Sequence, residues 1–150
     1  MLLKKELIRL NLEAETSEEA LRTLAQVFVD NGVAKESYPD AIVLRESKYP
    51  TGLPATAFDI ATPHTFAEHV NEAAMGVAVL KHPVVFQQMG SPEITLHPQV
   101  LFMLAITDPK EQITLLRKIM KLIQNPEALT KVRDAKSVDE VYDILEPLLS

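Results

Sequence analysis

Cysteine is absent from all 150 residues. Disulfides, thiolate nucleophiles, iron–sulfur clusters and cysteine-ligated zinc are therefore excluded in this chain. Glycine occurs only four times, and never in a G-x-G-x-x-G or Walker-type loop. The backbone cradles that most often hold nucleotide phosphates are missing. There is no G-x-S-x-G nucleophile elbow either. Positive charge is in deficit: 15 lysines and arginines against 21 acids give a net charge of −6. Non-specific nucleic-acid binding needs the opposite balance, because basic side chains must displace counterions. Long apolar runs are lacking too. The longest, Val100 to Ile106, is far shorter than the ~20 residues of a membrane span. The N-terminal stretch "MLLKKELIRLNLEAE" has no apolar core or cleavage site of a signal peptide. A cytoplasmic chain forming one domain over residues 1–150 is expected.

The capping signals are plentiful. Thr16 and Glu19 form a T-x-x-E box ahead of Ala20, Leu21, Leu24, Val27 and Phe28, and Asn31-Gly32 supplies a stop. A second helix is expected from Tyr38 to Ser47, with Pro39 in its first turn and Arg45-Glu46 near its end. "KYPTGLP" (48–54) reads as a loop. Strands are expected at Phe58–Ala61, Ala74–Leu80, Val84–Phe86, Ile94–Leu96 (an edge) and Val100–Ile106. The last is apolar at every position and predicts a central strand covered on both faces. Asp108-Pro109 with Glu111 opens a helix whose expected buried stripe is Ile113, Leu116, Ile119, Met120 and Ile123. Asn125-Pro126 opens a short helix. Ser137 with Glu140 caps a last one carrying Val141, Ile144, Leu145 and Leu148. Helices, then strands, then helices predict an α/β fold: a mixed sheet of four or five strands sandwiched by helices.

His64 follows Pro63 directly, just after a predicted strand. Proline fixes its own φ and biases Thr62 towards extended geometry, so the backbone entering His64 is stiff. Neutral imidazole is a competent nucleophile near pH 7 when its second nitrogen is held by an acceptor. A lone loop histidine is more often structural, so the residue alone decides nothing. His64 and His69 lie five apart, not the four that place two ligands on one helical face; a metal site is not expected. His82 and His97 each precede a proline and read as exposed loop residues.

Three segments, in order, carry a resemblance: "AIVLRESKYPTGL" (41–53), "FDIATPH" (58–64) and "LFMLAITDPKEQITLLRKIMKLI" (101–123). Together they resemble the enzyme IIA domain of the fructose–mannitol class, from the bacterial phosphoenolpyruvate-dependent sugar phosphotransferase system. "VVFQQ" (84–88) and "DPKEQITLLR" (108–117) are most similar to the galactitol type. The resemblance implies the mannitol-type enzyme IIA fold and a phosphohistidine at His64. The phosphoryl donor would be the carrier HPr and the acceptor a cysteine of enzyme IIB, with enzyme IIC in the membrane. It implies that Nε2 carries the phosphoryl group and that Nδ1 is held. Arg45 would stabilise the phosphate. Gln112 stands where mannitol and fructose types place a second histidine, so a mechanism of paired histidines does not transfer. Free backbone N–H groups are expected beside Gln112, in the first turn of its helix. His69, Thr51 and Thr62 are possible neighbours of the site, and Phe66 a contributor to an exposed docking patch. No cofactor, metal or nucleotide is implied. Two alternatives stand beside this reading: a nitrogen-related regulatory enzyme IIA, and a non-catalytic binding module on the same fold.

Overall fold

The structure is a computed structural model that describes residues 2–149. The chain runs β1 (Leu3–Leu12), α1 (Ser17–Asp30), α2 (Tyr38–Lys48), β2 (Gly52–Leu53), β3 (Ile60–Ala61), β4 (Ala74–Leu80), β5 (Phe86–Gln88), β6 (Ser91–Leu96), β7 (Val100–Ala105), α3 (Pro109–Leu122), α4 (Pro126–Asp134) and α5 (Val138–Leu149). The strands form one mixed sheet in the order β1-β4-β7-β3-β2-β5-β6. β4 and β7 pair antiparallel at its centre, while β1 joins β4 and β3 joins β7 in parallel.

Alternation along the central strands divides the core. Met75, Val77 and Val79 with Val100, Phe102 and Leu104 pack beneath α3, α4 and α5. Ala74, Ala78 and Leu80 with Leu101, Met103 and Ala105 pack beneath α1 and α2. Every residue of β4 and β7 is buried, as expected for strands covered on both faces. The sandwich and the exposed edge strand at β6 agree with the sequence reading.

Strand number does not agree: seven strands are present among the described residues, not four or five. The additions are β1 and β2. β1 pairs only with β4, its register shifts twice, and Asn11 takes a left-handed φ of 53°. Those irregularities, with Lys4, Lys5, Glu6 and Arg9 on the strand, erase the alternation by which a strand is read. β2 lies within the expected loop and is too short to have a period. The helical stripes also turn. α3 buries Leu115, Ile119 and Leu122 and leaves Ile113 and Met120 exposed. α5 buries Val141, Leu145 and Leu149 and leaves Leu148 exposed.

Two contacts lock α1 and α2 against the sheet. A Cβ on Gly76 would lie 2.6 Å from both the Leu7 carbonyl oxygen and the Phe28 ring, so only glycine admits that ring. Phe28 stacks on Tyr38 at 5.5 Å, and the buried Tyr38 hydroxyl donates to the Leu104 carbonyl at 2.7 Å. The Leu104 N–H in turn donates to the Pro63 carbonyl at 2.9 Å. One residue of the central strand thus ties α2 to the segment that carries His64.

Candidate functional site

His64 sits three residues beyond β3, where the chain leaves the sheet. Sites in open α/β sheets gather beyond such strand ends. His64 is 6 % exposed, and its ring is contacted at both nitrogens. Nδ1 lies 2.8 Å from the Thr62 carbonyl oxygen, which can only accept, so Nδ1 carries the proton. Nε2 is left with its lone pair and lies 3.3 Å from the Gln112 side-chain nitrogen, which donates to it. Burial lowers the His64 pKa from its ordinary 6.5. The Thr62 carbonyl opposes that shift, and the Arg45 charge adds to it. The ring is a neutral base with its free lone pair directed at Gln112.

Arg45, His64 and Gln112 come from α2, the β3 exit and α3, and together line two clefts. One is about 160 Å³, bounded also by Phe66, Ile106 and Asp108. The other, about 490 Å³, runs past Tyr49, Thr51, Met89 and Leu116. The smaller is well below the ~300–1,000 Å³ of sites for drug-sized ligands. The Arg45 guanidinium lies over the Tyr49 ring at 4.4 Å and donates to the Tyr49 carbonyl at 3.3 Å. No carboxylate within 4.0 Å pairs with it among the described residues. Its charge therefore remains available at the cleft.

The expected free N–H groups at the start of α3 are already used. Asp108 accepts from the Lys110 N–H with its carboxylate at 2.9 Å, and from the Glu111 and Gln112 N–H groups with its carbonyl. Pro109 has none to offer. The donors facing His64 are the Gln112 amide and, across the cleft, Arg45.

The possible neighbours separate. The Thr51 hydroxyl is donated to Glu46 at 2.7 Å. The Thr62 hydroxyl is buried without a hydrogen-bond partner among the described residues; it is the Thr62 carbonyl that reaches His64. His69 ends a single 3-10 turn (Ala67–His69) and binds Ser37 at 2.8 Å through Nδ1. It lines neither cleft. His82 and His97 are exposed. Phe66 is 64 % exposed on the smaller cleft, and Tyr49 and Met89 are exposed on the larger one. Glu46 escaped the sequence reading except as half of a motif. The Thr62 carbonyl has no side-chain signature at all.

A mixed sheet between two helical layers is also the fold of mannitol enzyme IIA from Escherichia coli, which superposes with a TM-score of 0.78 at 24% identity over 95% of this chain and 97% of that one. A IIA from Streptococcus mutans, described as a putative PTS IIA (PtxA), superposes with a TM-score of 0.79 at 26% identity, over 96% of this chain and 90% of that one. Enzyme IIA for mannitol from Escherichia coli, solved in complex with phosphorylated enzyme IIB, has the same fold, with a TM-score of 0.79 at 22% identity over 97% and 99% of the two chains. The galactitol-specific EIIA component of Escherichia coli strain K12 is 26% identical over 120 residues, 80% of this chain and 79% of its own. The sequence model of the family "Phosphoenolpyruvate-dependent sugar phosphotransferase system, EIIA 2" matches residues 1–147. The chain belongs to that family, and is a phosphotransferase component that works through a phosphohistidine intermediate. Among the described residues, no helix is long and apolar enough to cross a membrane.

Proposed function

We propose that residues 1–150 form a cytoplasmic phosphocarrier that takes a phosphoryl group from phosphorylated HPr onto His64 and passes it to a cysteine of enzyme IIB. The single observation that carries this reading is the Nδ1–Thr62 hydrogen bond, which leaves Nε2 unprotonated in the cleft with its lone pair held only by the Gln112 amide. Nε2 attacks phosphorus as the donor P–N bond breaks, and the bonding electrons stay on the donor imidazole. The proton stays on Nδ1, and its hydrogen bond to the Thr62 carbonyl oxygen spreads the positive charge of the phosphorylated ring. Gln112 gives up its bond to Nε2 and turns its amide to a phosphoryl oxygen. Arg45 meets another oxygen, where charge gathers in a loose, metaphosphate-like transition state. Enzyme IIB then reverses the geometry: its thiolate forms the S–P bond and the Nε2–P bond breaks.

Galactitol or a related sugar alcohol is the cargo this reading favours. The galactitol-specific relative supports it, as does the glutamine at position 112. The solved mannitol complex supports enzyme IIB as the acceptor class. The membrane enzyme IIC takes part only indirectly.

Incubation with labelled phospho-HPr tests the reading. The intact chain should take up one acid-labile label, His64→Ala none, and His69→Ala nearly as much as the parent. Label retained by His64→Ala overturns it.

A further inference from the structure

Glu46 follows Arg45 on α2, yet it lines neither cleft at His64. Its carboxylate accepts two bonds from one residue. Oε2 takes the Thr51 N–H and Oε1 the Thr51 hydroxyl, both at 2.7 Å. Burial pushes the Glu46 carboxyl up, and the two Thr51 bonds hold it down. Thr51 is 1 % exposed, so water does not compete for its donors.

Two lines run outward from this clamp. On one, the Thr51 carbonyl accepts the Thr62 N–H at 3.1 Å, and the Thr62 carbonyl accepts His64 Nδ1–H at 2.8 Å. On the other, the turn from Tyr49 to Thr51 is closed by the clamp, and Tyr49 holds the Arg45 guanidinium by ring and carbonyl. Glycine at position 52 is required for the same turn to dock: a Cβ there would lie 2.5 Å from the Gln87 carbonyl oxygen. The imidazole and the guanidinium are thus both referenced to one carboxylate that touches neither.

We infer that Glu46 is a positioning residue for phosphoryl transfer, which sets the tautomer of His64 through Thr51 and Thr62 and the place of Arg45 through Tyr49. The inference rests on His64 being the acceptor, but its first readout does not. Glu46→Ala removes both acceptors. Glu46→Gln keeps an oxygen for the Thr51 N–H and can donate to the hydroxyl, so it restores the turn. Ring ¹⁵N shifts of His64 should report the Nδ1–H tautomer in the parent and in Glu46→Gln, and a mixture in Glu46→Ala. The maximal rate of phosphorylation by phospho-HPr should fall about ten- to a hundred-fold in Glu46→Ala, the scale of small misplacements at a reacting centre. It should recover in Glu46→Gln, with KM for phospho-HPr little changed throughout. Rates are measured well below each variant's Tm.

Parent tautomer with parent rate in Glu46→Ala overturns the inference, as does a loss confined to Tm. If Glu46→Ala does not fold, Thr51→Val and Thr51→Ser decide by the same measurements. Serine keeps both bonds and should match the parent; valine keeps only the N–H bond and should shift tautomer and rate together. Equal behaviour of the two overturns the inference. If His64→Ala still takes up label, the phosphocarrier reading fails, while the tautomer comparison still tests the clamp.

Discussion

In the proposed transfer His64 concentrates the chemistry in one ring, and its burial sets the pH range in which that ring would act. The unfolded imidazole takes up its proton near 6.5 and the folded one lower, because burial, seconded by Arg45, disfavours the charged ring. Between those values the unfolded chain binds more protons, so stability rises with pH there. The contribution of His64 to stability is complete above about 6.5 and is lost as pH falls through the folded value. Two outcomes follow for the parent against His64→Gln. The parent's stability advantage in urea should shrink on going from about pH 7.5 to about pH 5.5, and its phosphorylation rate should fall to half its plateau only below about pH 6.5. A rate that halves at the ordinary histidine value would contradict the buried neutral ring. His64 and Arg45 were legible as candidates because the family resemblance rests on side chains, which are written in letters. The acceptor that holds Nδ1 was not, because a carbonyl belongs to every residue, and only the fold decides that the one at Thr62 meets the ring.

Elements were legible at their ends and less so in their faces. Asp108-Pro109 and Ser137-Glu140 start helices where expected, since a cap is a local hydrogen bond: Asp108 to the Lys110 N–H, Ser137 to the Glu140 N–H. The face of α3 was read correctly at Ile119 and Ile123, which are buried, and wrongly at Ile113 and Met120, because its apolar residues recur at three- and four-residue spacing on two stripes. Ile113, Leu116 and Met120 form one; Leu115, Ile119 and Leu122 form the other, and only contact with the sheet distinguishes them. Leu115→Ala should therefore cost about 2–5 kcal/mol in chemical denaturation. Met120→Ala, on a side chain that is 44 % exposed, should stay within about 1 kcal/mol. Equal costs would return α3 to the expected orientation. Gly76→Ala makes the companion test on the other face. Its Cβ meets backbone at Leu7 as well as the Phe28 ring, so it should destabilise by about 1–3 kcal/mol.

At the scale of the whole molecule, the sheet order gathers one site from three distant segments. β3 pairs beside β7, Leu104 on β7 receives Tyr38 of α2 and supports Pro63, and α3 leaves the end of β7 to bring Gln112 over the ring. That assembly leaves apolar side chains standing around a buried reacting atom. Phe66, on the smaller cleft, is 64 % exposed and Tyr49, on the larger, 61 %, and neither is required by the core. A histidine that is 6 % exposed cannot meet a donor histidine in bulk solvent. In the proposed transfer from phospho-HPr, the donor protein would cover this rim, so that water is displaced as the two rings approach. Large exposed aromatic side chains at the centre of such a face are where binding energy concentrates. Phe66→Ala should accordingly raise KM for phospho-HPr by about tenfold, or about 1.4 kcal/mol. Its maximal rate and Tm should stay close to the parent's, because the side chain is exposed and belongs to neither core cluster. Steady-state phosphorylation across a range of phospho-HPr concentrations checks this. A fall in maximal rate with KM unchanged would place Phe66 in the chemistry, not in docking. An unchanged KM and rate would move the docking face away from this rim.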